Sequence, residues 1–256
     1  MSKLAARGRM INGMSVLVYE DSKALYSDAI RPLFGMLRNG NGHPTFGFAT
    51  GGTFLPFYRA VVSEFGRNGD SFRKARAFNL DEYWRIDPKN PGSYAFYMHS
   101  NLYSHIDMGP GMAQLPRGNA EDPRAEARGY EGRIRKAGDV DLQYLGIGRN
   151  GHIGFNEPGT SFRSKTHLVK LSPRTREANS QYFSNGDMPR KALTMGINTI
   201  LRSREIVLIA TGEEKSAAVM KALQGPVSPR TPASALRLHS RATFMLDEEA
   251  ASMLRR

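Results

Sequence analysis

The segment Arg204–Gly212, REIVLIATG, most limits what this chain can fold into. Ile206 to Ala210 is an unbroken apolar run with no polar alternate, so both faces of such a strand must be covered. A helix-length stretch, Glu213 to Leu223, follows it directly. The same pairing recurs along the chain. SVLVYE (15–20) precedes a helix predicted from Asp21 to Leu37, with Asp21 or Ser22 as N-cap. TFGFAT (45–50) runs into Gly51-Gly52 and a helix from Thr53 to about Gly66. ARAFNLDEY (75–83) reads as one strand, with helices predicted at 92–104 and 123–137. DLQYLGIG (141–148), HLVKLS (167–172) and ATFMLD (242–247) read as further strands, with a short helix over 174–183 and another at the C-terminal end. Strands alternating with helices predict the α/β class, with a parallel or mixed sheet covered on both faces. Ligands of such sheets bind outside the carboxyl ends of the strands, so chemistry is sought there.

The 256 residues suit one α/β domain, and no long linker, repeat or low-complexity block divides them. The absence of cysteine excludes a disulfide scaffold, a Cys-ligated zinc site, an iron–sulfur cluster and a thiol nucleophile. No apolar run reaches signal-peptide or membrane-spanning length, so the expectation is a soluble, cytoplasmic protein with no membrane contact. Lys and Arg number 36 against 24 Asp and Glu, a net charge of +12. Nearly all the excess lies in three patches, at 1–13, 163–176 and 226–241. Nucleic acid, an acidic partner, a phosphorylated metabolite or plain solvated surface would each account for them.

Four strand ends carry chemistry. Ala49-Thr50-Gly51-Gly52-Thr53 joins a strand to a helix start, where free N–H groups and two hydroxyls favour an anion. It lacks the Gly-Lys-Ser/Thr of a Walker A loop and the spacing of a dinucleotide fingerprint. In Asn79-Leu80-Asp81-Glu82-Tyr83, strand alternation puts Asp81 and Glu82 on opposite faces, so they are not a paired acid and base. Gly146-Ile147-Gly148-Arg149-Asn150-Gly151-His152-Ile153-Gly154-Phe155-Asn156-Glu157-Pro158 is too rich in glycine for a core element and suits a tight functional loop. There, His152 can exchange protons near neutral pH, and Glu157 could turn back to hold one ring nitrogen. Thr211-Gly212-Glu213-Glu214-Lys215 brings Lys215 to a fourth turn, as a surface lysine or a second charge on the anion held by Thr50 to Thr53. The histidines at 43, 99, 105, 152, 167 and 239 show no metal-ligand spacing, so no metal is expected.

ATGGT, FNLDEY, GIGRNGHIGFNEP, TREANS, KALTMGINTIL and ATGEEK, in this order over roughly 45–225, resemble the glucosamine-6-phosphate deaminase family. The resemblance implies a three-layer αβα sandwich, Rossmann-like with a mostly parallel sheet, filling 1–256 as a single domain. It implies conversion of an amino-sugar 6-phosphate, glucosamine 6-phosphate, to fructose 6-phosphate and ammonia without a cofactor. Asp81 matches the base that moves a proton from C2 to C1. His152 matches the residue that assists ring opening, and Glu157 its partner; Asn150 stands where members carry Asp or Asn. Thr50, Gly51, Gly52, Thr53 and Lys215 match the phosphate-binding groups.

Three departures stand out. Asn150 cannot ionise. Gln181 replaces an Arg that helps hold the phosphate, leaving Arg174 or Arg176 as substitutes or the substrate altered. His167 and Val169 fall where some members bind an allosteric amino-sugar phosphate, so that activation is expected to be absent or altered. The polar, basic segment 158–186 is expected to act as a mobile lid. Alternatives on the same fold are a galactosamine-6-phosphate isomerase, a 6-phosphogluconolactonase-like hydrolase and a sugar-phosphate-sensing domain. No groove-reading element supports a nucleic-acid partner. A homo-oligomer is left open.

Overall fold

The computed structural model describes residues 6–39, 42–180, 183 and 188–255. Eight strands form the main sheet, β1 (Ala6–Ile11), β2 (Met14–Tyr19), β3 (Thr45–Phe48), β4 (Arg76–Asn79), β6 (Ala113–Gln114), β7 (Leu142–Leu145), β10 (Glu205–Ala210) and β11 (Ala242–Asp247), in the order β1-β2-β11-β10-β7-β3-β4-β6. All neighbours run parallel except β1 and β2. A second, three-stranded antiparallel sheet, β5 (Asp81–Tyr83), β9 (Lys191–Thr194) and β8 (His167–Lys170), stands beyond it in the order β5-β9-β8. The α/β class with a mostly parallel sheet is as expected; the second sheet is new.

REIVLIATG behaves as its composition dictates. β10 lies between β11 and β7, with Leu208 and Ile209 fully buried. Around β3 and β7 the core is aromatic. Phe48, Phe57, Tyr58 and Tyr144 are all buried, with the Phe57 and Tyr144 rings 4.6 Å apart.

Two expectations need correction, and one strand was not foreseen. The helix predicted over 21–37 is two, α1 (Ser22–Ala29) and α2 (Arg31–Asn39), because Pro32 has no N–H to continue the ladder. Asp21 does cap α1, accepting the Ala24 N–H at 2.7 Å. The chain before β2 is itself a strand, joined through Asn12-Gly13 with φ of 48° and 80°. That turn is the mirror-image type favoured by hairpins, and Asn-Gly was its visible signal. Finally, the strand predicted over 75–83 belongs to two sheets. Leu80 is the switch: its N–H donates to Phe48 O in the main sheet at 3.0 Å, and its carbonyl accepts the Met195 N–H at 2.6 Å, beside the second sheet. Asp81 is the next residue, so this switch delivers it to the carboxyl ends of β3 and β4.

Candidate active site

A pocket of about 570 Å³ opens at the carboxyl ends of β3, β4 and β7. Thr50, Gly51, Gly52, Thr53, Asp81, Asn150, His152 and Lys215 all line it. Eight of the nine residues singled out in the sequence therefore meet in one cavity, and the ninth, Glu157, stands behind its wall.

The turn 49–53 precedes α3 (Phe54–Asn68). Tyrosine hydroxyls take its alternate carbonyls: Tyr58 donates to Ala49 O, Tyr97 to Gly51 O at 2.8 Å and Tyr26 to Thr53 O at 2.7 Å. The helix ladder starts with Phe54 and Leu55, donating to Gly51 O and Gly52 O. No described residue takes the N–H groups of Gly51, Gly52 and Thr53, which leaves donors for an anion at a helix start. Lys215 borders the same space from the turn after β10. Asp247 orders that turn, accepting the Gly212 N–H at 3.0 and 3.1 Å. Burial holds the Lys215 ammonium below its ordinary value, and the charge of Arg149 adds to this against the pull of Glu214.

Asp81 is 5% exposed and has no hydrogen bond or ion pair with a described residue. Burial, and then the charge of Glu82, push its carboxyl well above the usual range. A carboxylate so poorly solvated is a strong base once ionised.

The loop after β7 is folded on itself. Gly148 N–H donates to His152 O at 2.9 Å, and Gly151 N–H to Gly148 O at 2.8 Å. The imidazole lies against Gly148, where a Cβ would come within 2.2 Å of the ring. No larger residue fits there without displacing His152. Glu157 Oε2 is 3.8 Å from His152 Nδ1, an ion-pair distance too long for a hydrogen bond. Its close partner is Asn150, whose Nδ2 donates to Oε2 at 2.7 Å. Asn150 Oδ1 in turn accepts the His152 N–H at 3.2 Å. The other carboxylate oxygen accepts from Ser172 Oγ at 3.1 Å and from Thr175 Oγ1. Burial alone would raise Glu157; the hydroxyl of Thr175, the charge of His152, and Asn150 and Ser172 outweigh it and hold the carboxyl below its ordinary value.

Sequence reasoning missed four contributors. Ser172 and Thr175, the N-cap and first turn of α6 (Pro173–Asn179), anchor Glu157 from outside the motif. Only the fold brings them there. Tyr94, the first residue of α4 (Tyr94–Asn101), lines the pocket and stacks on Phe155 at 5.9 Å. Arg149 lines it beside Lys215, and its place inside the glycine-rich loop was the available signal. Arg176 does not line the pocket, and Gln181 lies outside the described residues.

Comparison with known proteins gives this constellation a lineage. Residues 21–245 match the model of the glucosamine-6-phosphate isomerases/6-phosphogluconolactonase family. The chain belongs to that family. It is 50% identical over 208 residues to glucosamine-6-phosphate deaminase 1 of Bacillus subtilis (strain 168), covering 81% of this chain and 86% of the relative. The deaminase of Geobacillus sp. (strain WCH70) is 47% identical over 209 residues, covering 81% and 83%. A solved monomeric glucosamine-6-phosphate deaminase superposes with a TM-score of 0.90 at 45% identity, covering 93% of this chain and 99% of that one. The 6-phosphogluconolactonase of Trypanosoma cruzi, at 18% identity and a TM-score of 0.77, shares the fold alone. Among the described residues no helix is long and apolar enough to cross a membrane.

Proposed function

We propose that this chain converts glucosamine 6-phosphate to fructose 6-phosphate and ammonia, with Asp81 as the proton-transfer base. The observation that carries the base assignment is the buried Asp81 carboxylate, without a partner among the described residues, in the pocket that also holds His152 and the N–H groups of 51–53 that no described residue takes. Half-identity to named deaminases over most of the chain supports the substrate.

In this reading the phosphate rests on Thr50, Gly51, Gly52 and Thr53, with Lys215 supplying charge. His152 passes a proton between the anomeric hydroxyl and the ring oxygen as the sugar opens. Asn150 and Glu157 hold the loop that carries it; Asn150 cannot take a proton itself. Asp81 removes the C2 proton and returns it to C1, leaving an imine at C2 that water hydrolyses to the ketone and ammonia. Every step is a proton transfer or a hydrolysis, and none calls for a metal or cofactor. The solved relative is monomeric, so a homo-oligomer gains no support. The described part of the segment 158–186 is read as a lid over this pocket, because α6, which lies in it, contributes Thr175, Glu177 and Asn179 to the wall; 181, 182 and 184–186 lie outside the described residues. Closure would shield the intermediate from water. A substrate analogue should then protect the segment from protease.

Turnover in deuterated water tests the chemistry. Ammonia release with deuterium at C1 of fructose 6-phosphate is expected. Lactone hydrolysis without exchange would overturn the reading. Galactosamine 6-phosphate, run alongside, is expected to be the poorer substrate.

A further inference from the structure

Glu82 follows Asp81 on the opposite face of β5 and is 2% exposed. Among the described residues its carboxylate meets no cation. Instead it accepts the N–H groups of Tyr83 at 2.8 Å, Tyr94 at 3.0 Å and Ala95 at 2.8 Å. The last two open α4, whose N-cap Ser93 already accepts the Phe96 N–H at 3.0 Å. The helix thus has its ordinary cap and a buried carboxylate besides. A neutral amide could accept some of the same N–H groups; what only a carboxylate adds is charge.

The surroundings supply dipoles to that charge and no counter-ion among the described residues. Across the strand pair stand Leu193 opposite Glu82 and Thr194 opposite Asp81. The titratable groups facing the pair are Tyr83 of β5, Tyr94 of α4, Tyr58 of α3 and Tyr130 of α5 (Pro123–Lys136), with His152 across the pocket. Among the described residues no Lys or Arg pairs with either carboxylate.

We propose that Glu82 is a positioning residue for the reaction: it clamps the first turn of α4, and with it Tyr94, against the pocket, and its charge acts on Asp81 through the thickness of the strand. This rests on Asp81 being the proton-transfer base. Burial pushes the Glu82 carboxyl up to about 7, with the three N–H groups resisting, so its charge is established across the neutral range. An ionised Glu82 makes Asp81 hold a proton more firmly.

The test is the pH dependence of kcat for glucosamine 6-phosphate in the full chain and in Glu82→Gln and Glu82→Asp. Removing the charge should move the acidic limb down by about one pH unit and lower the plateau about 3–10-fold, with KM changed less than about twofold. Glu82→Asp keeps the charge and should keep the limb in place even where it melts earlier. An unmoved limb in Glu82→Gln would overturn the proposal and leave Glu82 a residue of the fold alone. Should that variant not fold, carboxyl ¹³C NMR of the parent decides. Asp81 and Glu82 titrating in two shared steps support it, and two independent titrations overturn it. Failure of the parent to release ammonia would instead sink the underlying reading, which the NMR experiment does not depend on.

Discussion

Two carboxylates serve one pocket from opposite sides, and the fold treats them in opposite ways. Asp81 stands on the wall built by β5 and α4 with no described residue binding its carboxylate, and its carboxyl is pushed up. Glu157 stands behind the glycine-rich loop with Asn150, Ser172 and Thr175 on its oxygens, and its carboxyl is pulled down. Burial acts on both in the same direction; the hydrogen bonds decide the sign. On the proposed reading, the carboxylate that takes and returns a proton is the one left bare, and the one that holds a loop in place is supplied with donors.

Removing each carboxylate should therefore fail differently. Asp81→Asn is expected to lower kcat about 10³–10⁴-fold with little change in KM, and to abolish deuterium exchange at C1. A fully active variant would break the assignment. Glu157→Gln should cost about 10²-fold, chiefly in ring opening, so that open-chain substrate analogues are spared. Equal loss on cyclic and open-chain compounds would erase the distinction between the two walls. Thr175→Val removes a single donor from Glu157 and should cost about tenfold or less. Its activity should also fall away at higher pH than the parent's on the acid side, since Glu157 is then less well held ionised; an unshifted acid limb would show that Thr175 does not tune it.

The smallest effect is on stability. Asp81 has a folded-state pKa above its unfolded one, so the folded chain binds the extra proton, and stability contributed at low pH is lost as pH rises through the folded value. Asp81→Asn removes that loss. The variant should melt above the parent at pH 8, with the gain vanishing below about pH 4, the unfolded range of an Asp. A variant less stable at both pH values would show that Asp81 is held by contacts after all.

Much of this was legible in the sequence because it is local. A five-residue apolar run, a glycine turn before a helix and a strand-end acid each announce themselves within a short window, and REIVLIATG, ATGGT and NLDEY did so. What escaped depends on residues distant in the chain. Nothing in ARAFNLDEY says that Leu80 changes sheets, because the change is made by its bonds to Phe48 and Met195. Similarly, two of the partners of Glu157, Ser172 and Thr175, lie fifteen and eighteen residues away; TREANS begins at Thr175, but nothing local says that its hydroxyl reaches the loop carboxylate. The Asn12-Gly13 hairpin is the exception, a local signal available from turn chemistry and passed over.

The Leu80 switch also fixes a length. Phe48 lies two residues before Thr50, and Leu80 one residue before Asp81, so a single 3.0 Å hydrogen bond separates the chain that leads to the anion turn from the chain that leads to the base. If the turn holds the phosphate and Asp81 serves the reacting carbon, as proposed, the molecule carries an internal caliper between the two. Sugar phosphates whose reacting carbon lies nearer to or farther from the phosphate would reach one jaw and miss the other. On the proposed reading, selection by chain length is set at the joint between the two sheets.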